Sequence, residues 1–91
     1  MNSVRIEFTR LFEETLKRFS GEVRAKAMEI LERALRDPEV CTKLKGKLSR
    51  YCVTHIDREI AVVYRLDQAM KRIVALAIVR REYLLHDVET R

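Results

Sequence analysis

The most strand-like stretch of the chain reads Ile60-Ala61-Val62-Val63-Tyr64-Arg65-Leu66. Six of these seven residues are aliphatic or aromatic, and β-branched and aromatic side chains favour strands. A half-exposed strand alternates apolar and polar residues, but this stretch stays apolar on both faces until Arg65. It therefore predicts a central strand that is buried on both sides.

Two further strands flank this stretch in the sequence. Residues 48–56 and 73–79 are strand-like, and each is separated from the central stretch by a short polar segment, residues 57–59 and 67–72. Short connections of this kind reverse the chain. The second half of the chain therefore predicts a three-stranded meander, preceded by a lysine-rich loop at residues 42–47.

The first half of the chain predicts one strand and two helices. Residues 4–8 alternate apolar and polar side chains, which indicates a strand with one buried face. Thr9 is a suitable N-cap for a helix that runs to about Arg18, and Ser20 can cap a second helix that ends before Pro38. The predicted fold is α+β, in the order β-α-α-β-β-β. The helical hairpin packs on one face of a four-stranded, largely antiparallel sheet.

Two helices cover only one face of such a sheet. The alternation along the central strand places Ile60, Val62 and Tyr64 on one face and Ala61 and Val63 on the other. The second set predicts an uncovered apolar face on which a partner chain docks. Self-association into a homodimer would cover the same face.

Length and composition predict a single cytoplasmic domain over residues 1–91. The longest apolar run, at residues 73–79, is far shorter than the roughly 20 residues that cross a bilayer. The first residues lack the apolar core of a secretory signal. No membrane association is expected.

The two cysteines, Cys41 and Cys52, lack the close spacing of a metal site. Two buried free thiols are the simplest interpretation. The alternatives are a disulfide or a zinc site that recruits His55 or His86.

The net charge of +5 belongs to the second half of the chain. Residues 1–41 carry eight basic and eight acidic side chains, whereas residues 42–91 carry eleven and six. Concentrated positive charge of this kind indicates binding of phosphate or of an acidic partner. A solvated rim that keeps the protein soluble is the alternative interpretation.

Several basic residues could serve an RNA site. Arg80 and Arg81 follow a strand and can make bidentate contacts to phosphate. His55 could act as an acid or a base near neutral pH. The candidates for binding the RNA backbone are Lys43, Lys45, Lys47, Arg50 and Arg58.

Each of these candidates also has a purely structural interpretation. The two arginines could pair with Glu82 and Glu59, and His55 could be an ordinary hydrogen-bonded strand residue. The ring of Tyr83 could lie at the edge of the core.

Four short segments and an acidic turn at Asp67 resemble the RelE/ParE superfamily of toxins from type II toxin–antitoxin pairs. Their spacing is most similar to that of the YoeB branch. The segments are Leu44-Lys-Gly-Lys-Leu-Ser-Arg-Tyr51, Ile56-Asp-Arg-Glu59, Val62-Val-Tyr64 and Arg80-Arg-Glu-Tyr83.

The resemblance implies a function. Toxins of the RelE type cut mRNA in the ribosomal A site without a metal or other cofactor, and an antitoxin hides their basic face. Toxins of the ParE type share the fold and poison DNA gyrase. The primary hypothesis is a ribosome-dependent mRNA endoribonuclease. The alternatives are a gyrase-binding toxin, a catalytically inactive relative that acts only by binding, and an unrelated interaction module.

The resemblance matches the family's catalytic residues only in part. Glu59 corresponds to the glutamate that precedes the catalytic strand of the YoeB branch, and Arg80, Arg81 and Tyr83 are the best matches at the C-terminal end. Ala61 stands where the family has a central arginine. Removing one charge-stabilising donor typically lowers the rate by about 10²–10³, so the resemblance does not imply efficient cleavage.

Overall fold

The computed structural model describes residues 5–37, 42–43, 50–67 and 69–82, with only the backbone for Arg5, Thr42 and Lys43. The elements are β1 (Arg5–Phe8), α1 (Arg10–Leu16), α2 (Gly21–Arg36), β2 (Thr42–Lys43), β3 (Cys52–His55), β4 (Ile60–Asp67) and β5 (Arg72–Arg80). None of the helices in these residues is long and apolar enough to cross a membrane.

The strands form one mixed sheet in the order β1-β5-β4-β3-β2, so the predicted central strand is confirmed. β4 pairs antiparallel with β3 and β5, and β1 runs parallel to β5. The α+β class and the largely antiparallel sheet are also confirmed. Thr42–Lys43, predicted as loop, instead pairs with Val53 and Cys52 as a fifth, two-residue strand.

Both predicted helix caps are present. The Thr9 hydroxyl accepts a hydrogen bond from the Phe12 backbone N–H at 3.0 Å, and Ser20 accepts one from Val23 N–H at 3.3 Å. α1 ends at Leu16, about two residues earlier than predicted. A cap satisfies backbone donors that the first turn leaves unpaired.

A β-bulge in β5 connects the sheet to the start of α1. Val63 pairs with Ala77 and Tyr64 with Ala75, so Leu76 is an extra residue in β5. The Leu76 carbonyl lies 2.9 Å from the Thr9 hydroxyl, which can donate to it. The same threonine therefore caps α1 and contacts the bulge.

The main core lies between the helices and one face of the sheet. Phe12, Ala27 and Leu31 from the helices pack there against sheet residues such as Val62 and Tyr64, all fully buried. This face includes Ile60 and Leu66 at its margin. The predicted division of β4 residues between the two faces is therefore correct.

The prediction of an uncovered apolar second face is wrong. Ala61 is 0% exposed, Val63 4% and Val53 7%. These three residues form a second, smaller cluster with the partly buried side chains of Tyr51, Leu76 and Val79. Because Val53, Ala61 and Val63 are already buried within the chain, they do not form the exposed apolar surface that the prediction required.

Cys52 is fully buried at the first position of β3. It is disulfide-bonded, so the expectation of a free thiol at this position is wrong. Cys41 lies outside the described residues.

Candidate functional site

The turn between β3 and β4 is shaped by Asp57. Its Oδ1 atom accepts hydrogen bonds from the backbone N–H groups of Glu59 at 2.8 Å and Ile60 at 3.0 Å. The N–H of Ile56 donates to the Ile60 carbonyl at 2.8 Å and closes the turn. Aspartate commonly stabilises turns in this way, and here the exposed Arg58 and Glu59 lie within the turn.

The end of β5 is attached to this turn. Arg80 pairs with Ile60 at the last register position of β4 and β5. The next residue, Arg81, donates its backbone N–H to the Glu59 carbonyl at 2.7 Å. Its Nη1 atom lies 3.5 Å from the Arg58 carbonyl. The backbone thus brings three arginines to one end of the sheet.

These residues line an open cleft of ≈ 370 Å³, which we call the strand-end cleft. Its lining residues are Arg58, Glu59, Arg80, Arg81 and Glu82. Both ion pairs found between described side chains involve Arg72, which contacts Glu7 and Asp67 elsewhere. Among the described residues, the three cleft guanidinium groups therefore lack a carboxylate within ion-pair distance. They are available to an anion, and arginine binds phosphate in bidentate geometry.

Four of the predicted site residues, Arg58, Glu59, Arg80 and Arg81, thus lie together. Glu82 directly follows the two arginines in the sequence, where it was expected only as an ion-pair partner for them. The structure places it in the cleft wall.

Two other predicted residues lie elsewhere. His55 is exposed at the end of β3, where it pairs with Ala61. Ile60, the neighbour of Ala61, pairs with Arg80, so His55 lies on the face of the sheet opposite to that of Ile60 and Arg80. It does not line the strand-end cleft. Arg50 is exposed just before β3. The first residue of β3 pairs with Tyr64, far from the turn that joins β3 to β4. Arg50 therefore lies at the opposite end of the hairpin from the Asp57 turn.

The remaining predicted residues are not described in full. Lys43 is described only by its backbone, opposite Cys52 in the sheet. Lys45, Lys47 and Tyr83 lie outside the described residues.

Ala61 occupies the position that the resemblance assigns to a catalytic arginine. It is fully buried in the smaller cluster, against Val53 and Val63. The described cations of the strand-end cleft therefore come from the β3–β4 turn and the end of β5, and not from the middle of β4.

Solved toxin structures have the same fold. The RelBE2 toxin–antitoxin complex from Mycobacterium tuberculosis gives a TM-score of 0.73 at 20% sequence identity, covering 86% of this chain and 98% of that chain. A YoeB/ParE toxin from Agrobacterium tumefaciens gives 0.73 at 19% identity, with coverages of 85% and 98%. The YoeB-YefM complex from Staphylococcus aureus gives a TM-score of 0.72 at 23% sequence identity, and the match covers 86% of this chain and 97% of that chain.

No protein-family model and no curated protein matches the sequence. The similarity is therefore visible in the backbone, where the match extends over almost the full length of each matched chain. The chain has the fold of the RelE, YoeB and ParE toxins, as its resemblance to that superfamily predicted.

Proposed function

We propose that this chain is the toxin of a type II toxin–antitoxin system and acts in the cytoplasm as a ribosome-dependent mRNA endoribonuclease. The observation that supports this most directly is the strand-end cleft, where Arg58, Arg80 and Arg81 lie together on a toxin fold. Three guanidinium groups suit a scissile phosphate, because they can stabilise the charge that develops on its oxygens.

The proposed reaction uses the 2′-hydroxyl of the RNA itself. The Glu59 carboxylate accepts the proton of this hydroxyl, and the 2′-oxygen forms a bond to the adjacent phosphorus. The bond from phosphorus to the 5′-oxygen breaks, and an acid protonates the departing oxygen. We assign the acid to Tyr83, two residues beyond Arg81 in the sequence. His55, the other residue considered for this role, does not line the strand-end cleft. The products are a 2′,3′-cyclic phosphate and a 5′-hydroxyl.

We further propose a cognate antitoxin as the protein partner. Solved relatives by fold include the RelBE2 and YoeB-YefM complexes. Acidic side chains of an antitoxin would neutralise the cleft arginines and keep the toxin silent. A YoeB dimer from Staphylococcus aureus is also known, and a homodimer is the corresponding proposal for this chain in isolation.

Replacement of Arg81 tests the proposal. Arg81→Ala removes the guanidinium but keeps the backbone hydrogen bond to the Glu59 carbonyl. We expect cleavage of ribosome-bound mRNA, mapped by primer extension after induction without the antitoxin, to fall about 10²–10³-fold. Arg10→Ala is the matched control, because Arg10 is an exposed arginine at the start of α1 that does not line the cleft. Unchanged cutting by Arg81→Ala would exclude the proposed phosphate site.

A second candidate is a toxin that acts by binding alone, such as a ParE-like inhibitor of DNA gyrase. The buried Ala61 favours it, because this position supplies no charged group. Induction of the wild type distinguishes the two candidates. New mRNA ends on ribosomes support the nuclease, whereas growth arrest with gyrase-linked DNA breaks and no mRNA cutting supports the binding toxin.

A further inference from the structure

A second open cleft, of ≈ 250 Å³, lies between the end of α1 and the end of β5. We call it the helix-side cleft. Its lining residues are Thr15, Arg18, Phe19, Ile78, Val79 and Arg80. Arg80 also lines the strand-end cleft, so the two clefts are neighbours that share one arginine.

The base of the helix-side cleft is held in place by Thr15. Its buried hydroxyl accepts the backbone N–H of Ile78 at 3.0 Å and can donate to the Phe12 carbonyl at 3.0 Å. The N–H of Arg18 donates to the Thr15 carbonyl at 3.0 Å, which continues the last turn of α1. The backbone that carries Arg18 is therefore attached to β5.

The orientation of Arg80 follows from the strand register. Directly paired residues on antiparallel strands share a face of the sheet. Arg80 pairs with Ile60, which packs against the core on the helix face. The Arg80 side chain therefore leaves the sheet on the same side as Arg18.

The helix-side cleft is positively charged and partly apolar. Its described lining includes two arginines and no acidic residue. Neither Arg18 nor Arg80 belongs to the ion pairs found among described residues. Phe19, which is half-buried, provides an apolar wall. Cations beside an aromatic ring are typical of sites that hold single-stranded RNA, because the ring contacts a base or ribose while the cations contact phosphate.

We propose that the helix-side cleft binds a backbone phosphate of the RNA strand whose scissile phosphate occupies the strand-end cleft. Arg80 lies between the two phosphates, and Arg18 contacts the outer one. This inference rests on the proposed nuclease function and extends it, because it gives the RNA a path from the end of the sheet onto the helix side. An acidic peptide is the competing occupant, and the experiment below distinguishes it from RNA.

The test measures the affinity of the full chain for a fluorescent oligouridine of about ten nucleotides by anisotropy. Arg18→Gln is expected to weaken binding about tenfold, because it removes one charge-assisted phosphate contact. The slope of log affinity against log salt concentration should also become shallower by about 0.7. Arg10→Gln, at the start of α1, loses the same charge, but Arg10 lines neither cleft, so this variant should change both quantities much less.

The outcomes separate this inference from the function on which it rests. If Arg18→Gln behaves like Arg10→Gln while Arg81→Gln loses affinity, the outer phosphate site is wrong and the strand-end site stands. If neither Arg18→Gln nor Arg81→Gln affects RNA binding, the proposed function fails as well. If Arg18→Gln weakens binding of a decaglutamate peptide but not of the RNA, the cleft is a peptide site and the inference is overturned.

Discussion

Thr15 joins α1 to the sheet through a single buried hydroxyl. Thr15 is 6% exposed, and its hydroxyl accepts a hydrogen bond from the Ile78 backbone N–H at 3.0 Å. Thr15→Val preserves the shape but leaves that N–H without a partner in the core. We expect the free energy of unfolding to fall by about 1–3 kcal/mol, measured by urea denaturation.

Thr15→Ser is the matched control for this hydroxyl. Serine keeps the hydrogen bond and loses only a methyl group, which should cost about 0.8 kcal/mol. Equal losses for serine and valine would mean that packing of the methyl group, and not the hydrogen bond, stabilises the site.

The environments of Thr15 and Ala61 show what single residues reveal in a sequence. The alternation around Ala61 correctly predicted which face it occupies, because side chains of a strand alternate strictly. It did not predict that this face is covered, since the burial of Ala61 depends on neighbours from other strands, such as Leu76 and Val79. The long-range hydrogen bond of Thr15 to Ile78 likewise leaves no local pattern.

At the scale of elements, the Asp57 turn is the feature that most directly shapes the strand-end cleft. One carboxylate oxygen accepts two backbone N–H groups, from Glu59 and Ile60. Asp57→Ala should lower the free energy of unfolding by about 0.5–1.5 kcal/mol, because water replaces these bonds only in part. It should also weaken RNA binding, since Arg58 and Glu59 lose their fixed positions.

Asp57→Asn tests whether the acceptor or the charge matters. Asparagine retains a side-chain oxygen at the same place and also favours turns. We expect it to keep most of the stability, measured by urea denaturation, and most of the RNA affinity, measured by anisotropy. If Asp57→Asn lowers stability and RNA affinity as much as Asp57→Ala does, the effect of Asp57 belongs to its negative charge.

Elements with strong local signals were predictable, and those that depend on pairing were not. Thr9 and Ser20 mark their helices because capping is a local interaction. β2 has only two residues, and its pairing with β3 arises from tertiary structure, so its sequence reads as loop. The bulge at Leu76 has the same origin, because it depends on the register between β4 and β5.

In the whole molecule, the order of strands explains where the candidate site lies. The excess positive charge belongs to residues 42–91, which supply β2 to β5. The β3–β4 turn and the end of β5 meet at one end of the sheet, and this meeting concentrates part of that charge in the strand-end cleft. The sequence predicted Arg58, Arg80 and Arg81 as candidates. Their proximity follows from the antiparallel register of β4 and β5.

The same topology predicts a gradient of local stability across the sheet. β4 has eight residues and pairs on both sides, whereas β1 has four residues at the edge and pairs only with β5. Local opening is easiest where few interactions must break. We therefore expect the hydrogen-bonded amides of β4 to exchange with solvent deuterium at least about tenfold more slowly than those of β1, measured by NMR.

The exposed first turn of α2, which begins after Ser20, provides the fast-exchanging reference for this measurement. Thr9→Ala should widen the difference in amide exchange rate between β1 and β4. Thr9 links the end of β1 to the bulge in β5 through its contact with the Leu76 carbonyl, so its loss should let β1 open more often. Equal protection of the β1 and β4 amides from exchange would show that the edge strand opens only when the whole domain unfolds. The sheet would then be a single cooperative unit, and the strand order would not determine which part of the molecule opens first.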